Sequence, residues 1–167
     1  ALLPRLIEVS RTQSAGIILL ATAYIILGQL GLLLAVPPGY ATVIWPPSGI
    51  ALGVLLIRGP SLWPGIFIGS LSLNAGIGGA FSFDTGLAWD KLAIAVAIAG
   101  GSTIQAVIAR GLIARLFGLP IALNSPRDAT LLFAIAAPGA CVIAASVGVG
   151  ALYLGNVIPA SALAHNW

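Results

Sequence analysis

The chain has 167 residues, of which 59% are apolar and 7% charged, with 21 glycines, 11 prolines, one cysteine and no methionine; its mean hydropathy is +1.10. Water-soluble domains carry about 25% charged residues, so that class is excluded and no soluble catalytic domain fits beside the apolar runs. The net charge of +3 is small and dispersed, which excludes a nucleic-acid surface.

The charged residues leave 12–57, 59–83, 92–109 and 129–167 without any charge, and about 20 apolar residues cross a bilayer. An integral membrane protein is expected. Cys141 stands alone, which excludes a disulfide framework and a cysteine metal cage. No cleavage site follows the first residues, so the first apolar run reads as a retained span and not as a signal peptide.

In chain order, residues 1–13 form an N-terminal segment and 14–167 an integral membrane domain. The first span covers 14–36 and stops at Pro37-Pro38-Gly39, which cannot continue a helix. The second, 43–57, and the third, 61–78, are separated by Arg58-Gly59-Pro60. Both begin with Trp-Pro, at Trp45-Pro46 and Trp63-Pro64, and proline at a first helical position loses no needed hydrogen bond. The fourth span covers 91–109. The fifth covers 129–153, with Pro138-Gly139 inside it expected to act as a kink and hinge. Continuous apolar runs, unlike alternating barrel strands, predict an all-α, polytopic transmembrane helical bundle.

Five alternating crossings place Arg5, Arg11, Arg58, Arg110, Arg115 and Arg127 on one side and Lys91 on the other. That asymmetry puts the N-terminus in the cytoplasm. Loops 37–42, 79–90 and 155–164 then face outward, with Trp45, Trp89 and Trp167 near the outer interface and Trp63 near the inner one. From Pro46 to Ile57 the second segment is short for a crossing, but a re-entrant segment would destroy the charge asymmetry.

Helices in lipid associate through small residues and polar side chains. Gly49 and Gly53, Gly65 and Gly69, and Gly148 with Ala144 have the spacing for helix packing, within the chain or against a second subunit. Ser102 and Gln105 are three apart on one helix face; they form either an interhelical hydrogen bond or a small pocket for an uncharged ligand. Asn74 reads as a helix-end cap or a ligand contact. Trp45, Pro46, Pro47 and Ser48 are candidates to shape an outer pocket with it. Asp90 and Asp128 suit helix N-termini, and Arg110 and Arg115 suit the end of the fourth helix and the anionic inner leaflet.

No acid, base and nucleophile come together in the sequence. His165 has no second histidine or nearby acid, so no metal is expected; neither Cys141 nor any serine has a base in its segment; and no cofactor motif is present. Glu8, Asp84, Asp90 and Asp128 lie at ends or in loops, which disfavours ion-coupled transport.

The run Thr42-Val43-Ile44-Trp45-Pro46-Pro47-Ser48-Gly49-Ile50-Ala51-Leu52, followed by Leu62-Trp63-Pro64-Gly65-Ile66-Phe67-Ile68-Gly69, resembles the first class of membrane-associated sensor domains, the MASE family of bacterial signalling proteins. Arg58, Asn74, Arg115-Leu116, Arg127-Asp128, Ala145-Ser146-Val147-Gly148 and Leu152-Tyr153-Leu154 extend the resemblance over nearly the whole chain. Gly101-Ser102 and Gln105 depart from it, standing where the family often shows Asn and Glu. The resemblance implies a multi-span input module of a sensor histidine kinase or cyclic-di-GMP enzyme in the bacterial inner membrane. It also implies that the sequence is cut before further spans and a cytoplasmic output domain, where any catalysis would lie.

The leading expectation is thus a membrane-embedded sensory input module of unknown ligand, not itself an enzyme. Its expected partners are the lipid bilayer, an output domain, and a second copy or another membrane protein. The alternatives are a facilitator of a small neutral solute and a scaffold that anchors and dimerises its output.

Overall fold

The computed structural model describes residues 2–34, 44–82, 86–119, 125–132, 134 and 137–167, with the backbone alone at 2–11, 81–82, 129 and 137. The expected stop at Pro37-Pro38-Gly39, the loop at 37–42, the side chains of Arg5, Glu8 and Arg11, and Asp84 lie outside the described residues.

Among the described residues seven α-helices follow in order: α1 (Leu2–Leu32), α2 (Pro46–Arg58), α3 (Trp63–Ile77), α4 (Trp89–Phe117), α5 (Pro126–Leu131), α6 (Ala137–Leu154) and α7 (Leu163–Asn166). Single 3-10 turns, Pro60–Leu62 and Ala160–Ala162, lead into α3 and α7. The all-α expectation needs one amendment. A two-residue hairpin, β1 (Phe81–Ser82) with β2 (Gly86–Leu87), closes the connection between α3 and α4.

Helix starts follow the prolines. Pro46 and Pro47 occupy the first turn of α2 behind Trp45, and Pro64 the first turn of α3, where a missing N–H is harmless. Helix ends follow the glycines: Gly59 adopts φ 95°, open to glycine at no steric cost, and its N–H caps Leu55 O at 3.1 Å. At α5, Ser125 and Asp128 form a reciprocal capping box, Ser125 N donating to Asp128 Oδ2 at 3.0 Å and Asp128 N to Ser125 Oγ at 3.2 Å.

Two boundaries differ from expectation. Helix α1 begins at Leu2, because Pro4 falls in its first turn and nothing before Ser14 breaks it. Helix α4 runs 29 residues to Phe117, so Arg110 lies within it and not at its end. The fifth segment is described as α5 and α6, with Pro138 in the first turn of α6; residues 133, 135 and 136 between them, against which the expected kink at Pro138-Gly139 falls, lie outside the described residues.

Close contacts fix the alternation of directions. Helix α1 runs parallel to α3, with Ile17 at Gly65, Tyr24 at Gly69 and Gly28 at Leu73. Helix α4 runs antiparallel to α3, with Ser102 beside Ser70 and Ala95 beside Ala75. It is antiparallel to α6 as well, with Gly101 against Val147 and Ile94 against Gly155. Helix α2 packs on α1 and α4. The core is Leu20, Tyr24, Ala51, Leu55, Leu62, Ile66, Leu73 and Ala106.

The outer faces are apolar. Ile57 is 81% exposed, Leu154 80% and Leu19 72%, a surface suited to hydrocarbon and not to water. Among the described residues two helices, Thr12–Leu32 and Trp89–Phe117, are long and apolar enough to cross a membrane. The 13 residues of α2 rise about 20 Å, short of the roughly 30 Å hydrocarbon core. The apolar stretch Pro138–Leu154 of α6 is also below the spanning length.

Candidate functional site

Between α3 and α6, on either side of α4, the described helices do not close against each other. A cavity of about 540 Å³ lies among α1, α3, α4 and α6, inside the roughly 300–1,000 Å³ of small-molecule sites. A narrower cavity of about 170 Å³ continues along α2 and α4 toward Ala109, Ile113 and Leu132. Tyr24, Ser48, Ser102, Gln105 and Cys141 line both. A third, of about 300 Å³, shares Asn74, Ile77, Ile98 and Leu152 with the large one and reaches Lys91.

A polar cluster stands on the wall of the large cavity. Ser70 is 1% exposed, and its Oγ donates to Ser102 Oγ at 3.5 Å, joining α3 to α4. Asn74, one turn along, donates through Nδ2 to Ser70 O at 2.8 Å and to Ser70 Oγ at 3.3 Å. Its side chain thus turns back into its own helix and onto the serine pair. Across the space, Gln105 Nε2 donates to Cys141 Sγ of α6 at 3.6 Å. Every buried side-chain polar atom among the described residues has a hydrogen-bond partner, as hydrocarbon surroundings require.

The candidates from the sequence divide as follows. Trp45, Ser48, Asn74, Ser102 and Gln105 come together on the large cavity, whereas Pro46 and Pro47 do not line it; they begin α2, with Pro47 buried. Thr103 turns away and donates to Ala99 O at 2.7 Å within its own helix. Gly65 and Gly69 bring α1 and α3 together: a Cβ at Gly65 would stand 2.7 Å from Ile17 O, and one at Gly69 2.9 Å from Ala21 O. At Gly49, Gly53, Gly139 and Gly148 nothing lies within 4 Å of that position, so these glycines bring no other described helix close.

Three contributions were not visible beforehand. Ser70 could have been found, since it precedes Asn74 by four residues and shares its face. Tyr24, 1% exposed, reads in the sequence as one more aromatic in an apolar span. The third is the return of the chain: after Asn156, at φ 55°, α7 folds back so that His165, Asn166 and Trp167 line the large cavity. Trp167 Nε1 donates to Ser146 Oγ at 3.1 Å and holds it there. Among the described residues no group of three or more His, Cys, Asp or Glu could hold a metal.

At the far end of α4, Arg110 Nε donates to Leu55 O at 2.9 Å. This carbonyl lies in the last turn of α2, where the helix dipole leaves negative charge. Arg110 was expected to serve the end of its own helix; since α4 continues past it, the guanidinium serves the end of α2.

Apolar outer faces around a polar-walled cavity define a helical, membrane-associated domain. The family model for MASE1 matches residues 16–167, and the chain belongs to that family of membrane-associated sensor domains of signalling proteins. No curated protein and no solved structure matches the chain.

Proposed function

We propose that this chain is the multi-pass input module of a bacterial signalling protein in the inner membrane, and that its stimulus binds in the cavity between α3, α4 and α6. The carrying observation is the convergence of Ser70, Asn74, Ser102 and Gln105 on one cavity wall. Polar groups are costly in hydrocarbon, and these four sit on two helices that pack against each other.

The route to an output runs along α4. One helix carries Ser102 and Gln105 at the cavity and Arg110 at the α2 end, so a shift of α4 that improves contacts with a stimulus also moves the Arg110–Leu55 link. A stimulus acts only through a difference in affinity for two arrangements, and about 1.4 kcal/mol of difference changes their ratio tenfold. With the N-terminus in the cytoplasm, Arg58, Arg110 and Arg115 lie at the inner boundary and Lys91 at the outer; the cavity end bearing Trp45 and Trp167 then opens outward. Gly53, which lines neither cavity, is free to accept a helix of the full protein, of a second copy or of a membrane partner. The module performs no catalysis; a kinase or a cyclic-di-GMP enzyme attached to it would.

Output activity of the full-length protein in membranes tests this. Ser102→Leu fills the cavity and is expected to change that activity several-fold with protein level unchanged. Unchanged output, together with uptake of a small neutral solute by proteoliposomes, would replace the sensor by a facilitator.

A further inference from the structure

Resting on the sensory reading, we infer that the ligand is an uncharged amphiphile with a hydroxyl or amide head and an apolar tail, the head seated at Ser70–Asn74–Ser102 and the tail running past Gln105 and Cys141.

The head follows from hydrogen-bond bookkeeping. Ser70 Oγ accepts from Asn74 and donates to Ser102, so its proton is committed. Ser102 accepts there and keeps its own hydroxyl proton to give. Asn74 directs Nδ2 onto Ser70, leaving Oδ1 as an acceptor with no partner among the described residues. The wall therefore offers one donor on α4 and one acceptor on α3, both beside Ser70. A hydroxyl or amide satisfies both. A carboxylate satisfies Ser102 and meets the Asn74 oxygen with like polarity; a hydrocarbon satisfies neither.

The tail follows from the adjoining cavity. Its wall beyond the shared residues includes Ala51, Leu52, Ala106, Ala109, Ile113 and Leu132, with no polar side chain among the described residues to recognise a second head. The two spaces share Gln105 and Cys141, whose 3.6 Å contact spans their common boundary. A tail that passes from one space to the other displaces this contact, which ties α4 to α6.

Cys141, exposed at that boundary, reports occupancy. Full-length protein in native membranes is treated with N-ethylmaleimide, and alkylation of Cys141 is followed by peptide mass spectrometry with 1-decanol, decanamide, decanoate or decane at equal membrane concentration. Decanol and decanamide are expected to slow alkylation about fivefold more than decane or decanoate, the effect of one well-formed hydrogen bond. Ser102→Ala and Asn74→Leu should each abolish the difference while alkylation without additive stays unchanged; Ser102→Ala removes a single oxygen and guards against a folding defect in the other. Equal slowing by decane, preference for decanoate, or no slowing by any of the four would overturn the inference. The output assay of Ser102→Leu is read separately. Altered output without protection of Cys141 keeps the sensor and removes the amphiphile, whereas protection with unaltered output keeps the amphiphile site and removes the sensor.

Discussion

Helix α3 has two unlike faces. Toward α1 it presents Gly65 and Gly69, and the backbones approach until a Cβ would stand under 3 Å from a carbonyl oxygen. Toward α4 it packs as well, through Ser70 and Ala75, but beyond Ser70 and Asn74, on the side facing α6, a cavity of about 540 Å³ opens. Residues 69 and 70 are neighbours, so one helical step of roughly 100° separates the seam with α1 from the cavity wall. The seam with α1 depends on contact and cannot change without losing it. Between α3 and α6 there is no such seam among the described residues, and a ligand can supply contacts there. A sensor needs both, a fixed frame and a side that moves against it.

The sharpest way to break this comparison is to fill the closed seam. Gly69→Leu drives a side chain into Ala21 and Tyr24, and overpacking of this kind costs at least about 1–3 kcal/mol; the expected result is loss of folded protein in detergent, read as a lower melting temperature or no monodisperse peak. Arg110→Leu ranks next. It removes a charged donor from Leu55 O, worth roughly 1.5–3 kcal/mol, and should loosen hydrogen-exchange protection at the end of α2 while the seam with α1 stays protected. Trp167→Phe deletes only the bond to Ser146, about 0.5–1.5 kcal/mol; faster exchange confined to residues 160–167 is expected. Gly53→Leu is the control, placing a side chain where nothing stands within 4 Å and no cavity is lined. Its stability within one chain should stay within about 0.5 kcal/mol, so a large loss would reveal another helix seated on that face.

These contrasts show how far the sequence could be read. Helix positions were legible because their signals are local: Trp-Pro at 45–46 and 63–64 starts α2 and α3, and Arg58-Gly59-Pro60 separates them. The shared face of Ser102 and Gln105 was also legible, since helical spacing alone places it. The end of α4 beyond Ala109 was not legible, because an arginine can end its own helix or cap a neighbour and tertiary contact decides. Gly65 and Gly49 sit in the same G-x-x-x-G spacing, yet α1 covers only the first. The return of Trp167 to Ser146 depends on a pairing 21 residues apart that no periodicity announces.

The account rests on the arginine-bearing ends of α2 and α4 lying in the cytoplasm and the cavity mouth lying across the membrane from them. Single cysteines at Arg58, Arg115 and Lys91, introduced into a full-length protein whose other cysteines are replaced, test this with a membrane-impermeant maleimide on intact cells. The expected result is labelling of Lys91→Cys at once and of Arg58→Cys and Arg115→Cys only after permeabilisation; prompt labelling of either arginine position in intact cells would contradict it.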